Sequence, residues 1–236
     1  NIMIKGWDEN SGKKIQDIFP HLRHLNIPDF INLEEMNFDN VDLILCALPH
    51  ATSQEIIVRI PEGKKIIDLS ADFRLEQVEE YERWYGSKHI AHSLQEKAVY
   101  GLTEIYKEKI KKGSLIACTG CNSAASLYPV LPLLNEGIIN SDSLIINLGA
   151  GVSGAGRDAK QNIIHAEVSE GVKPYNIGKH RHIAELEQEF KKVTINKIEI
   201  TFIPHLLPQN RGVLVSIPIA SPCLLYTSDA ADELSC

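Results

Sequence analysis

A cysteine that follows a glycine just before an apolar stretch is placed for nucleophilic chemistry, and Thr119-Gly120-Cys121-Asn122-Ser123-Ala124-Ala125 has that form. Backbone N–H groups and the dipole at the start of a helix favour a thiolate over a thiol. Cys121 is therefore the candidate nucleophile. Cys118, three residues earlier, fits the plainer reading of a small buried apolar side chain. The Cys118-x-x-Cys121 spacing also leaves open a redox or zinc pair, although no second Cys or His pair stands at finger-like spacing.

A thiol nucleophile needs a proton acceptor, and Gly178-Lys179-His180-Arg181-His182 supplies two imidazoles within three residues. Histidine titrates near neutrality, so it can take the thiol proton and return it to a departing or newly formed oxygen. Taken alone, His-x-His is as much a structural or solvated pair as a catalytic one. His182 becomes an acid/base candidate only together with Cys121. Gly149-Ala150-Gly151-Val152-Ser153-Gly154-Ala155-Gly156-Arg157 reads as a loop whose small residues let backbone approach a ligand, or as a plain tight loop. Its spacing matches neither a phosphate loop nor a dinucleotide fingerprint. Asp68-Leu69-Ser70-Ala71-Asp72-Phe73-Arg74 ends a strand candidate with an arginine able to grip a phosphate or carboxylate. The alternative is a solvated salt bridge between Asp72 and an arginine. Arg211 invites the same two readings.

The elements that must position these residues follow from the hydrophobic pattern. Asp42 to Leu48 reads as a strand, Ser53 to Ile60 as a helix, Lys65 to Leu69 and Ser114 to Cys118 as strands, Ala124 to Leu134 as an apolar helical segment and Ser143 to Leu148 as a further strand. That alternation predicts an α/β fold with a parallel sheet, whose functional loops gather at the carboxyl ends of the strands. Pro49-His50, Ser70 to Asp72, Gly120-Cys121 and the loop Gly149 to Gly156 all fall at such ends.

Composition narrows the class. The formal charge is −7 and no block of like charge forms a tail, which argues against a nucleic-acid partner. No apolar run approaches the roughly 20 residues of a membrane-spanning helix, and no secretory signal opens the chain, so a cytoplasmic protein is expected. Five irregularly spaced cysteines suggest reduced thiols rather than a disulfide framework. Residues 222–236 continue neither a strand nor an amphipathic helix, and the expectation is that they are foreign to the gene.

Taken together, FPHLRHL (Phe19 to Leu25), LPH (Leu48 to His50), IIDLSADFRL (Ile66 to Leu75), WYG (Trp84 to Gly86), VYGLTEI (Val99 to Ile105), GC (Gly120-Cys121), GVSGAGR (Gly151 to Arg157), GKHRH (Gly178 to His182) and PHLLPQNRG (Pro204 to Gly212) resemble the N-acetyl-gamma-glutamyl-phosphate reductase family of arginine biosynthesis. The resemblance implies a Rossmann-type NADPH domain over residues 1–120 and an α+β catalytic and oligomerisation domain of the semialdehyde-dehydrogenase type over 121–221. It implies that both are incomplete, because the family's opening Gly-rich turn and its C-terminal part have no counterpart here.

The activity implied is reduction of an acyl phosphate to an aldehyde through a Cys121 thioester, with NADPH as cofactor and a homo-oligomer, dimer or tetramer, as the full-length form. By the same resemblance His182 is the acid/base and His180 orients substrate. Arg74 takes the phosphate, Arg157 and Arg181 the substrate carboxylate, and Pro49 with Ser153-Gly154-Ala155 lies along the nicotinamide. No metal is expected. Asn122-Ser123-Ala124 departs from the family's usual Tyr-Pro-Thr. Three alternatives stay open: the same chemistry on an N-acyl-aminoadipyl phosphate, an inactive fragment or binding module, and a cofactor-free cysteine hydrolase.

Overall fold

The computed structural model describes residues 4–5, 10–156 and 160–219. The first domain holds the short parallel pair β1 (Ile4–Lys5) and β2 (Phe30–Ile31), and a four-stranded parallel sheet in the order β3 (Leu43–Cys46), β4 (Lys65–Asp68), β6 (Leu115–Ala117), β5 (Val99–Tyr100). The register sets Cys46 beside Asp68, Asp68 beside Ala117 and Ala117 beside Tyr100. The carboxyl ends of all four strands therefore lie in one row, and the chain leaves each of them into a loop at the same edge. Helices α1 (Ile15–Ile18), α2 (Ser53–Ile57), α3 (Val78–Tyr85), α4 (His92–Gln95) and α5 (Thr103–Lys112) connect them. Helix α3 buries Tyr81 and stops at Gly86, whose φ of 68° closes the last turn without the strain a Cβ would bring.

Helix α6 (Cys121–Asn135) leads into the second domain, whose sheet runs β10 (Val213–Ser216), β7 (Leu144–Gly151), β9 (Ile200–Leu207), β8 (Lys173–Pro174). Strands β7 and β9 are parallel, while β10 and β8 join them antiparallel. Helix α8 (His182–Lys191) packs beside α6, and α7 (His165–Val168) lies on the connection before it. Leu127, Val130, Leu131 and Leu134 of α6, Ile146 and Leu148 of β7, Leu186 and Phe190 of α8 and Phe202 of β9 form one core, which also takes in Tyr100 and Leu102 from the first domain.

The glycine-rich segment is in part strand. Strand β7 continues through Gly149, Ala150 and Gly151, and only Val152–Ala155 turns, as a single 3₁₀ turn. Pairing explains the difference from the expected loop. These residues lie between β9 and β10, a Cβ on Gly149 would stand 2.7 Å from Leu207 Cδ1, and one on Gly151 would stand 2.7 Å from the Arg211 backbone nitrogen. The glycines admit neighbouring strands as well as any ligand.

Candidate active site

Cys121 occupies the first position of α6, with Gly120 as its cap residue in extended conformation, φ −65° and ψ 144°. Its thiol is exposed and donates to Asn122 Oδ1 at 3.4 Å. The residues of α6 that follow it, Asn122, Ser123, Ser126 and Leu127, are buried, so the helix is anchored while its first side chain faces outward. Cys118 is half-buried at the end of β6, and burial pushes its thiol upward. Cys46 is raised further, to about 12, first by burial and then by Asp68. Among the described residues no cluster of His, Cys, Asp or Glu is arranged to hold a metal, which leaves the zinc reading of Cys118 and Cys121 without support.

His182 opens α8 and lays its ring on Gly120. A Cβ built on residue 120 would stand 2.7 Å from both ring atoms Cδ2 and Cε1, and closer still to Nε2. The helix that carries the acid/base candidate and the helix that carries the thiol thus meet at one glycine. His180 braces the arrangement: its Nδ1 accepts the His182 backbone N–H at 3.2 Å, and its ring meets that of His182 at a centroid distance of 4.7 Å. Tyr175 and Phe202 enclose His180 from the other side.

Neither imidazole titrates near neutrality, contrary to the expectation for a free histidine. Burial lowers His182 to about 3, with the cations Arg74 and Arg181 and the neighbouring His50 adding to the effect. Burial also lowers His180 to about 4, helped by His182 and Arg181. Both rings are neutral at physiological pH. His182 Nδ1 is buried with no hydrogen-bond partner among the described residues, and Nε2 faces Glu185 Oε1 at 3.8 Å.

Glu185, wholly buried one turn along α8, ties these parts together. Its Oε2 accepts the Tyr100 hydroxyl at 2.7 Å and the Gly120 N–H at 3.0 Å, while Oε1 meets Arg74 Nη1 at 3.4 Å. Sequence reasoning passes over this residue. The signal was present as His182-x-x-Glu185, a spacing that puts both side chains on one helix face.

Arg74 is buried rather than on the surface. Its Nε donates to Cys118 O at 2.7 Å and its Nη2 to Leu69 O at 3.2 Å, so with Glu185 three of the five guanidinium N–H groups are engaged within the chain. Arg181 is exposed, with its guanidinium 5.0 Å from the centre of the Tyr85 ring. Arg157 lies outside the described residues. Asp72 forms no salt bridge with an arginine among the described residues. Its carboxylate instead accepts the Ala51 N–H at 2.7 Å, the Tyr81 hydroxyl at 3.0 Å, the Ser53 hydroxyl at 3.0 Å and the Gln54 N–H at 3.2 Å. Those bonds hold the Pro49-His50-Ala51 turn, in which Ala51 has φ 68°. Pro49, Ser153, Gly154 and Ala155 are all exposed, and no described residue lies within 4 Å of where a Cβ on Gly154 would point.

Two family descriptions match the chain end to end: "Semialdehyde dehydrogenase, NAD binding domain" over residues 3–113 and "Semialdehyde dehydrogenase, dimerisation domain" over residues 121–231. The chain belongs to the semialdehyde dehydrogenase family. Within it, the chain is 51% identical over 211 residues to the N-acetyl-gamma-glutamyl-phosphate reductase of Rhodobacter capsulatus, covering 89% of this chain and 62% of that protein. It is 49% identical to the protein of the same name from Roseobacter denitrificans, over 90% of this chain and 63% of that one. The chain therefore spans less than two thirds of the length of these relatives. Among solved structures, aspartate semialdehyde dehydrogenase with NADP from Candida albicans superposes with a TM-score of 0.62 at 15% identity, covering all of this chain and 68% of that one. The enzyme of the same type from Vibrio cholerae gives 0.61 at 13% identity. At that distance the likeness establishes the semialdehyde dehydrogenase fold, which agrees with the α/β class expected from the sequence.

Proposed function

We propose that the protein reduces N-acetyl-gamma-glutamyl phosphate to N-acetyl-glutamate 5-semialdehyde and phosphate, with NADPH, through a thioester on Cys121. The observation that carries this reading is that the neutral His182 imidazole lies against Gly120, the residue immediately before the exposed Cys121 thiol at the first turn of α6. The names of relatives about 50% identical to the chain supply the substrate.

His182, held neutral, accepts the Cys121 proton, and Sγ attacks the acyl carbon. Phosphate departs with the electron pair of the carbon–oxygen bond and takes the proton from the imidazolium. That imidazolium is a strong acid, because burial and two nearby guanidinium groups disfavour its charge. NADPH, when bound, would supply the hydride that reduces this thioester. The carbon–sulfur bond then breaks with its electron pair on Cys121 Sγ, which releases the aldehyde and regains a proton from solvent.

Pro49 and Ser153-Gly154-Ala155 would hold the nicotinamide half of the cofactor. The exposure of Pro49, and the lack of any described residue within 4 Å of where a Cβ on Gly154 would point, support this reading. Arg74 would keep two N–H groups for the substrate phosphate, Arg181 would take the substrate carboxylate, and His180 would orient the substrate. Residues 1–120 and 121–221 act as cofactor and catalytic domains. Ile145 and Leu214 lie exposed on the second sheet, where an identical copy would cover them in a homo-oligomer. No helix among the described residues is long and apolar enough to cross a membrane.

The deciding assay is the reverse reaction: phosphate-dependent reduction of NADP⁺ with N-acetyl-glutamate semialdehyde. Activity is expected in the full chain and absent in Cys121→Ala. Acceptance of only the homologue one methylene longer would overturn the substrate assignment, and no turnover with either would overturn the reductase.

A further inference from the structure

The first turn of α6 carries a side chain to which the reaction above gives no task. Asn122 is almost fully buried, yet its carboxamide faces the reacting thiol: Oδ1 accepts Cys121 Sγ–H at 3.4 Å, and Nδ2 donates to the Tyr175 hydroxyl at 3.3 Å. One planar group thus holds the thiol on one side and a phenol on the other. Tyr175 arrives from a different part of the fold, immediately after β8. Its backbone N–H donates to Pro204 O at 3.0 Å, and its ring stands edge-on to His180 at 5.5 Å. The phenol oxygen accepts from Asn122, whereas the phenolic proton has no acceptor among the described residues. Burial raises the pKa of this phenol, and the nearby Cys121 raises it further against the opposing Asn122 bond, so it remains an O–H donor at neutral pH.

We propose that Tyr175 is a further catalytic residue, whose hydroxyl donates to the carbonyl oxygen of the acyl group that Cys121 attacks, with Asn122 fixing where that hydroxyl stands. As the sulfur–carbon bond forms, the carbonyl π pair moves onto oxygen. The phenol stabilises the resulting charge without surrendering its proton, and the donor is in place before charge develops. The proposal deepens the reading of the site given above and rests on its assignment of Cys121 as nucleophile; it depends neither on the phosphate leaving group nor on a hydride donor.

Two reagents separate this role from a structural one. p-Nitrophenyl acetate acylates a thiol through a tetrahedral oxyanion and releases p-nitrophenolate, whereas iodoacetamide alkylates the same thiol at a saturated carbon, with no oxyanion. Both rates are measured on the full chain and on Tyr175→Phe, with Cys121→Ala as the blank. Loss of one oxyanion donor costs on the order of 10²-fold or more in established cases, so acylation by Tyr175→Phe is expected to slow by about tenfold to a hundredfold. Alkylation is expected to change by less than about twofold, because the ring and its packing on His180 remain. Asn122→Ala is expected to show the same split to a smaller degree. Unchanged acylation in Tyr175→Phe overturns the proposal, as does a parallel fall in both rates or the lack of any Cys121-dependent acylation in the native chain. A native chain that acylates with this Tyr175 dependence but does not reduce NADP⁺ in the reverse assay would keep Tyr175 in its role and remove the reductase reading.

Discussion

The imidazole of His182 lies where a side chain at position 120 would have to stand, with two of its ring atoms 2.7 Å from the place of a Cβ. The glycine before the nucleophile is therefore required by its neighbour rather than by its own backbone, since its φ of −65° suits any residue. Gly120→Ala is expected to fold, because Glu185 still accepts the residue 120 N–H, but to displace the ring from the thiol. A misplacement of about 1 Å costs on the order of 10²-fold in rate, and kcat should fall by about that much with little change in the urea midpoint. A crystal structure of the variant showing the imidazole unmoved would sink the argument.

The two neighbouring thiols differ in task. Cys121→Ala should abolish turnover, whereas Cys118→Ser should retain most of it, because Arg74 bonds the Cys118 backbone carbonyl and not its sulfur. Labelling with a thiol reagent followed by peptide mapping checks the same point. Modification should fall on exposed Cys121 ahead of half-buried Cys118 and buried Cys46.

Glu185→Gln keeps the shape of the side chain but removes its charge. The buried Arg74 guanidinium would then lack its anionic partner, and breaking a buried pair in this way costs about 3–5 kcal/mol. The Gln Nε2 would also face either both the Gly120 N–H and the Tyr100 hydroxyl, in the place of Oε2, or Arg74 Nη1, in the place of Oε1. Equilibrium urea unfolding should show a loss of that order. A loss under about 1 kcal/mol would mean that the carboxylate is not the anchor described here.

The two lowered histidines make stability depend on pH. Their folded pKa values, about 3 for His182 and about 4 for His180, lie below the ordinary 6.5, so the unfolded chain binds more protons between these limits. Their contribution is complete above pH 6.5 and is lost as pH falls towards 3. His50 and His89, also lowered by burial, act in the same sense, while raised Asp68 acts in the opposite one. At pH 5.5 each strongly lowered ring costs about 1 kcal/mol relative to pH 7.5. The urea midpoint should fall accordingly, and a midpoint unchanged across that interval would contradict the burial of these rings.

Much of this was legible in the chain itself. Short apolar runs marked β3, β4 and β6, and the order of apolar segments placed Cys121 at the entrance of a helix, as found. What periodicity does not reveal is which glycine serves which purpose. Gly149 and Gly151 sit within a strand because β9 and β10 press on both sides, a condition set by residues more than fifty positions away. Glu185 escaped notice because a glutamate on an amphipathic helix ordinarily faces water, and only the docking of α8 against Tyr100 and Gly120 turns it inward. The depressed basicity of His182 likewise comes from enclosure that no local pattern encodes.

Helix α8 fastens the two domains together. Glu185 accepts from Tyr100, Glu189 from Tyr106, and Gln188 bonds both Glu76 N and Arg74 O, so three polar side chains of a second-domain helix are tied to the first domain. Tyr100 and Leu102 share a core with α6 and Phe190. Neither half keeps its interior if the other melts. The two domains form a single cooperative unit, and heating should therefore dissolve the cofactor sheet and the catalytic sheet in one transition rather than two.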